Sequence, residues 1–299
     1  MIDNKRNNSP KKLAFSLIEL SVVILIIGIL VLGVTQGSRM MYEAKLKSAI
    51  SLTQSSPVSS MENLVLWLET TDASKIAVGS VGSGVYGNAT DGSLVTGWAD
   101  KNPQNNNGYT VSSAANTNRP TYVKNGINGL PSLSFDGASS YLSGTPGVIP
   151  AGKKDYTIVA VWQSNSNEIQ TLFFQGDGGG DTTTWLSGTV NSQLDGINDF
   201  VSTLSYIYKK PYFVINRINK NINPGKNVTL FVNGQSQSGT ILYEDIKLGS
   251  LYIGTESSKS YLFDGYISEI IVFDRALDDD EISAIQEYLS SKYNIKLNT

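Results

Sequence analysis

Glu19 is the residue with the most direct chemical consequence. It is a carboxylate set into a run, Phe15 to Val34, in which only Ser16, Glu19 and Ser21 are clearly polar. An acid at mid-membrane depth costs roughly 2.5–3.5 kcal/mol on insertion scales, so it needs a partner there. Two further acids, Asp177 and Asp181, lie in the glycine-rich stretch Gly176-Asp-Gly-Gly-Gly-Asp181. With backbone carbonyls they could offer oxygen ligands to calcium. The stretch lacks an Asp-x-Asp-x-Asp spacing and a bidentate Glu, so solvated carboxylates on a hairpin tip are the alternative.

Between Leu204 and Tyr243 there is no acid, while Lys209, Lys210, Arg217, Lys220 and Lys226 gather with Tyr206, Tyr208 and Tyr212. A basic, aromatic surface suits an anionic glycan or a DNA strand. Strand alternation would instead scatter these charges over a solvated face. Among the tryptophans, Trp67 and Trp162 lie inside apolar runs and read as core, whereas Trp185, beside Thr182 to Thr184 and Gly188, is the exposed candidate for stacking on a sugar. The candidate ligand residues are therefore Trp185, Tyr206, Tyr208, Lys209 and Lys210, with Asp177 and Asp181 for calcium.

Other chemistries are excluded by composition. Histidine and cysteine are absent, which removes disulfides, Cys or His metal sites and His-based triads. Glycoside hydrolysis needs two carboxylates about 5–5.5 Å apart for retention or about 6.5–9.5 Å for inversion. Glu244-Asp245 are adjacent and would point to opposite faces of a strand. No catalytic residue is assigned, and the expectation is a protein that is not an enzyme. The chain has 23 basic and 26 acidic residues. Lys5, Arg6, Lys11 and Lys12 all precede the apolar run, so the rest of the chain is more acidic still, which argues against general nucleic-acid binding.

The elements that must position these residues begin with a helix. Twenty residues from Phe15 to Val34 would span roughly 30 Å, the thickness of a bilayer's hydrocarbon core. Past Val34 the pattern becomes amphipathic, with Met41, Leu46, Ala49, Ile50 and Thr53 at helical spacing. One helix from Ser16 to Gln54 is predicted, with Gly28, Gly33 and Gly37 as points where it could bend. The order Lys11-Lys12, Ala14, Phe15, Glu19 resembles the leader of type IV pilins and type II secretion pseudopilins. The resemblance implies that a prepilin peptidase cuts between Ala14 and Phe15 and N-methylates Phe15. It also implies that Glu19 pairs with the Phe15 amine of a neighbouring subunit during assembly. Ala14 departs from the family's usual glycine.

Ser55, Ser56, Pro57, Ser59 and Ser60 read as a linker. Short strand-like runs come next: Asn63–Leu68, Leu94–Asp100, Tyr109–Val111, Leu133–Phe135, Tyr156–Trp162, Thr171–Phe174, Thr184–Leu186, Tyr206–Ile218, Asn227–Val232, Leu251–Ile253 and Tyr266–Phe273. Tyr156–Trp162 and Tyr266–Phe273 are apolar on both faces and read as central. Asn233-Gly234 signals a type I′ hairpin, and Asp136-Gly137 and Asp264-Gly265 signal further turns. Asp278 and Glu281 resemble a capping box opening a helix whose face is Ile282, Ile285, Tyr288 and Leu289, with Lys292 complementing its last turn.

Leu64-Val-Leu-Trp-Leu68, Trp98-Ala-Asp100-Lys101, Arg119-Pro-Thr-Tyr122, Phe135-Asp-Gly137 and Gly265-Tyr-Ile-Ser-Glu-Ile270, in that order, resemble the laminin-G-like, or concanavalin A-like, jelly-roll family. The expected fold is mainly β: a long transmembrane and amphipathic N-terminal helix, then an antiparallel β-sandwich (jelly roll) with a short C-terminal helix. The expected organisation is a leader 1–14, a pilin-like helix 15–56 that crosses the membrane over about 15–37, a linker 57–62 and a jelly roll 63–299. By the positive-inside rule the leader stays cytoplasmic and the jelly roll lies outside the bacterial inner membrane. The resemblances imply a minor pilin or tip adhesin of a type IV pilus-type filament at the cell surface. Its implied partners are prepilin peptidase, other pilin subunits and a glycan or surface protein, with calcium as the one cofactor considered. A pseudopilin-type subunit of a secretion machine is the alternative, and a filament-borne glycoside hydrolase is the third reading.

Overall fold

The computed structural model describes residues 16–105, 108–152, 155–176, 181–194, 198–219, 227–241, 246 and 249–298. The chain forms two units, Met1–Lys45 and Leu46–Thr299. Helix α1 (Leu17–Gln54) has no proline and continues through Gly28, Gly33 and Gly37 without a break. Its apolar side chains from Leu17 to Val34 are exposed, and it is the one described helix long and apolar enough to cross a membrane. The hydroxyls in this stretch bond back to the helix itself. Ser21, Thr35 and Ser38 donate to the carbonyls of Ile18, Val31 and Val34 at 2.8, 3.0 and 3.0 Å, so none requires water.

Eighteen strands come after it among the described residues. They are β1 (Leu64–Glu69), β2 (Ile76–Val78), β3 (Val85–Tyr86), β4 (Val95–Ala99), β5 (Thr110–Ser112) and β6 (Thr121–Val123). Then come β7 (Ser132–Asp136), β8 (Leu142–Gly144), β9 (Tyr156–Ser164), β10 (Gln170–Gly176), β11 (Thr182–Leu186) and β12 (Thr189–Leu194). The last are β13 (Asn198–Ser205), β14 (Tyr212–Ile218), β15 (Val228–Val232), β16 (Gln235–Gly239), β17 (Ser250–Ile253) and β18 (Asp264–Phe273), before helix α2 (Asp279–Tyr293).

These strands form two antiparallel sheets. Sheet A runs β16-β15-β14-β9-β18-β7-β6, with β1 also on β18; sheet B runs β13-β12-β11-β10-β17-β8-β5-β4-β2-β3. The facing sides bury one core that includes Trp98, Phe135, Ile158, Ala160, Trp162, Phe173, Leu186, Ile253 and Ile267. Strands β9 and β18, both interior to sheet A, also bury their other face. There Val159, Val161, Ile271 and Phe273 pack under Ile282, Ile285 and Leu289 of α2 and under Ala49 at the end of α1. The central strands of sheet A are thus covered on both sides.

The cover carries an ionic core. Glu69 and Glu269 are direct cross-strand partners on β1 and β18, an arrangement that like charges alone would disfavour. Lys292 resolves it: its Nζ lies 2.8 Å from Glu69 and 2.9 Å from Glu269, and all three side chains are 0% exposed. Trp67 Nε1, Tyr288 and Tyr293 also donate to the Glu269 carboxylate, at 2.7, 2.8 and 2.9 Å. Burial works to push the Glu69 carboxyl up, but the charge and hydrogen bond of Lys292, with Thr71 and Lys101, hold it below the ordinary value. Lys292 stands in the last turn of α2 as expected and is also the centre of a buried network. The capping box of Asp278 and Glu281 forms as expected.

Three expectations meet a different structure, and two strands were not expected. Residues 57–62 are not a free linker: Pro57–Ser60 is a short 3-10 turn, and Val58 and Met61 join the cluster beneath α2. Asp264-Gly265 is not a turn but the start of β18, where a side chain at Gly265 would meet the Gln163 carbonyl at 2.1 Å. Tyr206 to Pro211 is a turn before β14, so the expected strand is only Tyr212–Ile218. Strands β12 and β13 arise from Thr-Val-Asn-Ser-Gln-Leu and Asn-Asp-Phe-Val-Ser-Thr-Leu-Ser, where polar residues hide the alternation. The Asn233-Gly234 hairpin stands, both residues at positive φ.

Candidate functional site

The outward face of sheet B is where side chains remain available. Along β11, Thr182 bonds to Tyr156 and Thr184 to Asn216 inside the sandwich, at 2.6 and 3.0 Å, so Thr183 and Trp185 point out. Pairing then aligns two rows. Phe174, Thr183, Gln193 and Asp199 are successive cross-strand partners on β10 to β13, and Thr171, Trp185, Asn191 and Val201 form the adjacent row. A turn at Gly188, with φ 66°, closes the β11–β12 hairpin beside Trp185.

A loop from Glu256 to Tyr261 walls this floor. The Glu256 carboxylate holds the loop together: one oxygen accepts from the Ser258 hydroxyl and the Ser260 N–H, each at 2.7 Å, and the other from the Ser258 N–H at 2.5 Å. Burial would raise this carboxyl, but those donors bring it below the usual value, so it stays ionised. Lys259, at the loop tip with φ 60°, sets its Nζ 5.3 Å from the Tyr252 ring centre. The Thr171 N–H donates to the Tyr261 carbonyl at 3.0 Å and fastens the loop to β10.

Floor and wall enclose a pocket of about 350 Å³, lined among others by Thr183, Trp185, Gln193, Asp181, Asp199, Glu256 and Tyr261. No lysine or arginine among the described residues lines it. Asp199 has its carboxyl pushed up by burial, partly offset by a hydrogen bond from Gln193. The Trp185 Nε1–H is enclosed and has no acceptor. No group of three or more acids able to hold a metal ion occurs among the described residues, so the three pocket carboxylates do not form a chelating cluster.

Of the described ligand residues expected from sequence, the structure brings Trp185 and Asp181 into this pocket and leaves Tyr206, Tyr208, Lys209 and Lys210 outside it. Tyr206 is core, 6% exposed, edge-on to Trp162 at 4.9 Å. Tyr208, Lys209 and Lys210 lie on the turn before β14, with Lys209 Nζ 5.8 Å from the Tyr208 ring. Arg217 pairs with Asp279 at 2.6 Å on the helix-covered side. Among the described residues the basic, aromatic surface is therefore dispersed. Ala14, Phe15, Asp177, Lys220, Lys226 and Glu244-Asp245 lie outside the described residues. Glu19 lies in the first turn of α1, accepting from the Ser16 N–H at 2.9 Å. Sequence reasoning missed Asp199, Gln193, Glu256 and Tyr261. The alternation of Thr182-Thr-Thr-Trp-Leu186 was the available signal, because it sets Trp185 opposite the core.

Residues 9–35 match the prokaryotic N-terminal methylation motif, and residues 136–283 match the concanavalin A-like lectin/glucanases superfamily. No curated protein matches the chain in sequence. A GH54 α-L-arabinofuranosidase soaked with a cyclic sulfate inhibitor aligns at TM-score 0.56 and 12% identity, over 77% of this chain and 63% of that one. The binding domain of Paraclostridial Mosquitocidal Protein 1 aligns at 0.51 and 16%, over 77% and 52%. Domain 4 of AbnA, a GH43 extracellular arabinanase from Geobacillus stearothermophilus, in complex with arabinotriose, aligns at 0.48 and 15%, over 76% and 98%. At such identities the shared property is the fold. The chain joins a prokaryotic methylation motif and an apolar helix to a concanavalin A-like sandwich. Its N-terminal segment resembles that of pilin- and pseudopilin-type subunits: the methylation motif implies prepilin peptidase processing and assembly with other pilin subunits, and the apolar helix is consistent with membrane anchoring.

Proposed function

We propose that this protein is a minor pilin or tip adhesin whose sandwich binds a carbohydrate in the pocket around Trp185, outside the inner membrane and then on a filament. The observation that carries the reading is the asymmetry of the two sheets. The centre of sheet A is covered by helices, whereas sheet B presents an indole and hydrogen-bonding side chains in an open pocket. Indole faces stack on the apolar side of sugar rings, while Thr183, Gln193 and the carboxylates can meet hydroxyl groups.

We propose binding without hydrolysis. Both oxygens of Glu256 are committed to its own loop, which leaves it poorly placed to transfer a proton to a glycosidic oxygen. The test is the purified full chain in neutral detergent, screened on a glycan array with calcium and with chelator. Trp185→Ala should weaken the best ligand at least tenfold, about 1.4 kcal/mol, with thermal stability kept. Unchanged binding would remove the pocket from the reading. Sugar release from a polymer would make the protein an enzyme, and chelator sensitivity would bring calcium into the site.

A further inference from the structure

The outward row of sheet B does not end at the pocket. From Phe174 it continues through the cross-strand partners Tyr252, Ser143, Ser112, Gly97, Ala77 and Tyr86, on β17, β8, β5, β4, β2 and β3. Their chain neighbours Ile253, Leu142, Val111 and Trp98 belong to the core, which places this row on the face that carries Trp185. No side chain of the row from Phe174 to Tyr86 is charged.

The last member, Tyr86, lies along the sheet. Ala77 and Gly97 leave the space for it: a β-carbon added to Gly97 would come 3.4 Å from the Tyr86 hydroxyl and 3.5 Å from the Ala77 methyl. The ring leans from β3 across β2, and its hydroxyl lies 3.5 Å from Thr110 Oγ1 of β5. Tyr86 nevertheless remains 45% exposed, so the outer side of the ring is open to solvent. A ring laid on a sheet in this way, with Thr110 and the exposed Ser112 beside it, offers a flat apolar face next to hydroxyl groups. A sugar ring has the same two kinds of surface.

Trp185 on β11 and this platform beside β4 are five strand spacings apart, about 24 Å. Phe174 and Tyr252, with ring centres 6.0 Å apart, occupy the pocket end of the interval, and Ser143 and Ser112 the rest. One sugar cannot touch both ends, whereas an extended chain laid across the strands can. We propose that Tyr86 is a second stacking site, and that the outward face of sheet B binds a linear, uncharged polysaccharide lying from Trp185 to Tyr86. This rests on the carbohydrate reading above and extends it from one pocket to the interior of a polymer chain. Trp185 then holds a short chain, and Tyr86 contributes only when the chain is long enough to reach it.

The experiment titrates cello-, manno- and arabino-oligosaccharides, from disaccharide to decasaccharide, into the full chain in neutral detergent by calorimetry. In a series that binds, affinity should rise about tenfold from trisaccharide to decasaccharide, the size of one aromatic stacking contact. Tyr86→Ala should abolish that rise and leave the trisaccharide unchanged, Tyr86→Phe should keep it, and Trp185→Ala should weaken every length. Affinity independent of length, a rise that survives Tyr86→Ala, or an equal loss for the trisaccharide overturns the second site while leaving the pocket. Binding confined to charged or branched glycans overturns the linear, uncharged chain. Binding of no oligosaccharide, with no effect of Trp185→Ala on any arrayed glycan, overturns both the second site and the carbohydrate reading.

Discussion

Lys292 offers the sharpest test of how the sandwich is held. Lys292→Met keeps the volume and apolar stem while removing the one charge that touches both Glu69 and Glu269, at 2.8 and 2.9 Å with every side chain at 0% exposure. Breaking a buried ion pair by deleting one partner costs about 3–5 kcal/mol, because the remaining charge is left desolvated. For a domain of this size 1 kcal/mol lowers Tm by about 2–4 °C, so the loss should be about 6–20 °C. The pH dependence should also reverse. In the parent, the Glu69 carboxyl lies below its unfolded value of 4.5, so its contribution is present above that range and is lost as pH falls through the folded pKa. In the variant the cation is gone, burial of Glu69 beside a like charge is no longer offset, and protonation of Glu69 relieves the repulsion, so stability should rise as the pH is lowered from about 8 toward about 5. Thermal unfolding of the full chain in detergent, followed by near-UV circular dichroism at several pH values, measures both. A loss under about 1 kcal/mol, or parallel pH profiles, would refute this account of the network.

Two predictions concern the helix. Mass spectrometry should show a mature chain starting at N-methylated Phe15; Ala14→Leu should block that cut, and Glu19→Val should stay in the membrane but enter filaments poorly. A soluble version starting at Leu46 should fold, because it keeps Ala49, Thr53 and Val58 beneath α2. One starting at Met61 removes these contacts and should melt several degrees lower; equal melting temperatures would show that the end of α1 adds nothing. The loss of glycan binding on Trp185→Ala tests the opposite face of the domain.

Apolar periodicity made the covered half of the molecule legible. Tyr156–Trp162 and Tyr266–Phe273 have both faces buried, so their continuous apolar runs identify them as central strands and the structure pairs them with each other. The Asp278 capping box and the Asn233-Gly234 hairpin were readable because each is a local device, set by residues within four positions. Lys292 was not, since its partners sit 23 and 223 positions away in the chain. Local spacing carries no information about a charge met across a fold.

The candidate site escaped for a related reason. Its strands β12 and β13 serve a core on one face and a polar pocket on the other, and several of their inward positions are also polar. Ser192 bonds to Asn216 inside the sandwich at 2.9 Å, and Ser202 to the Val190 carbonyl at 2.5 Å. With polar residues on both faces, the alternation that reveals a half-buried strand disappears. Trp185 survived as a signal because β11 keeps one large aromatic among threonines. Asp199 and Glu256 carried none, being joined to it only by strand pairing and by a loop that returns far along the chain. The elements that fix the fold are thus the apolar ones, and the elements that could distinguish one ligand from another are those whose sequences look least like strands.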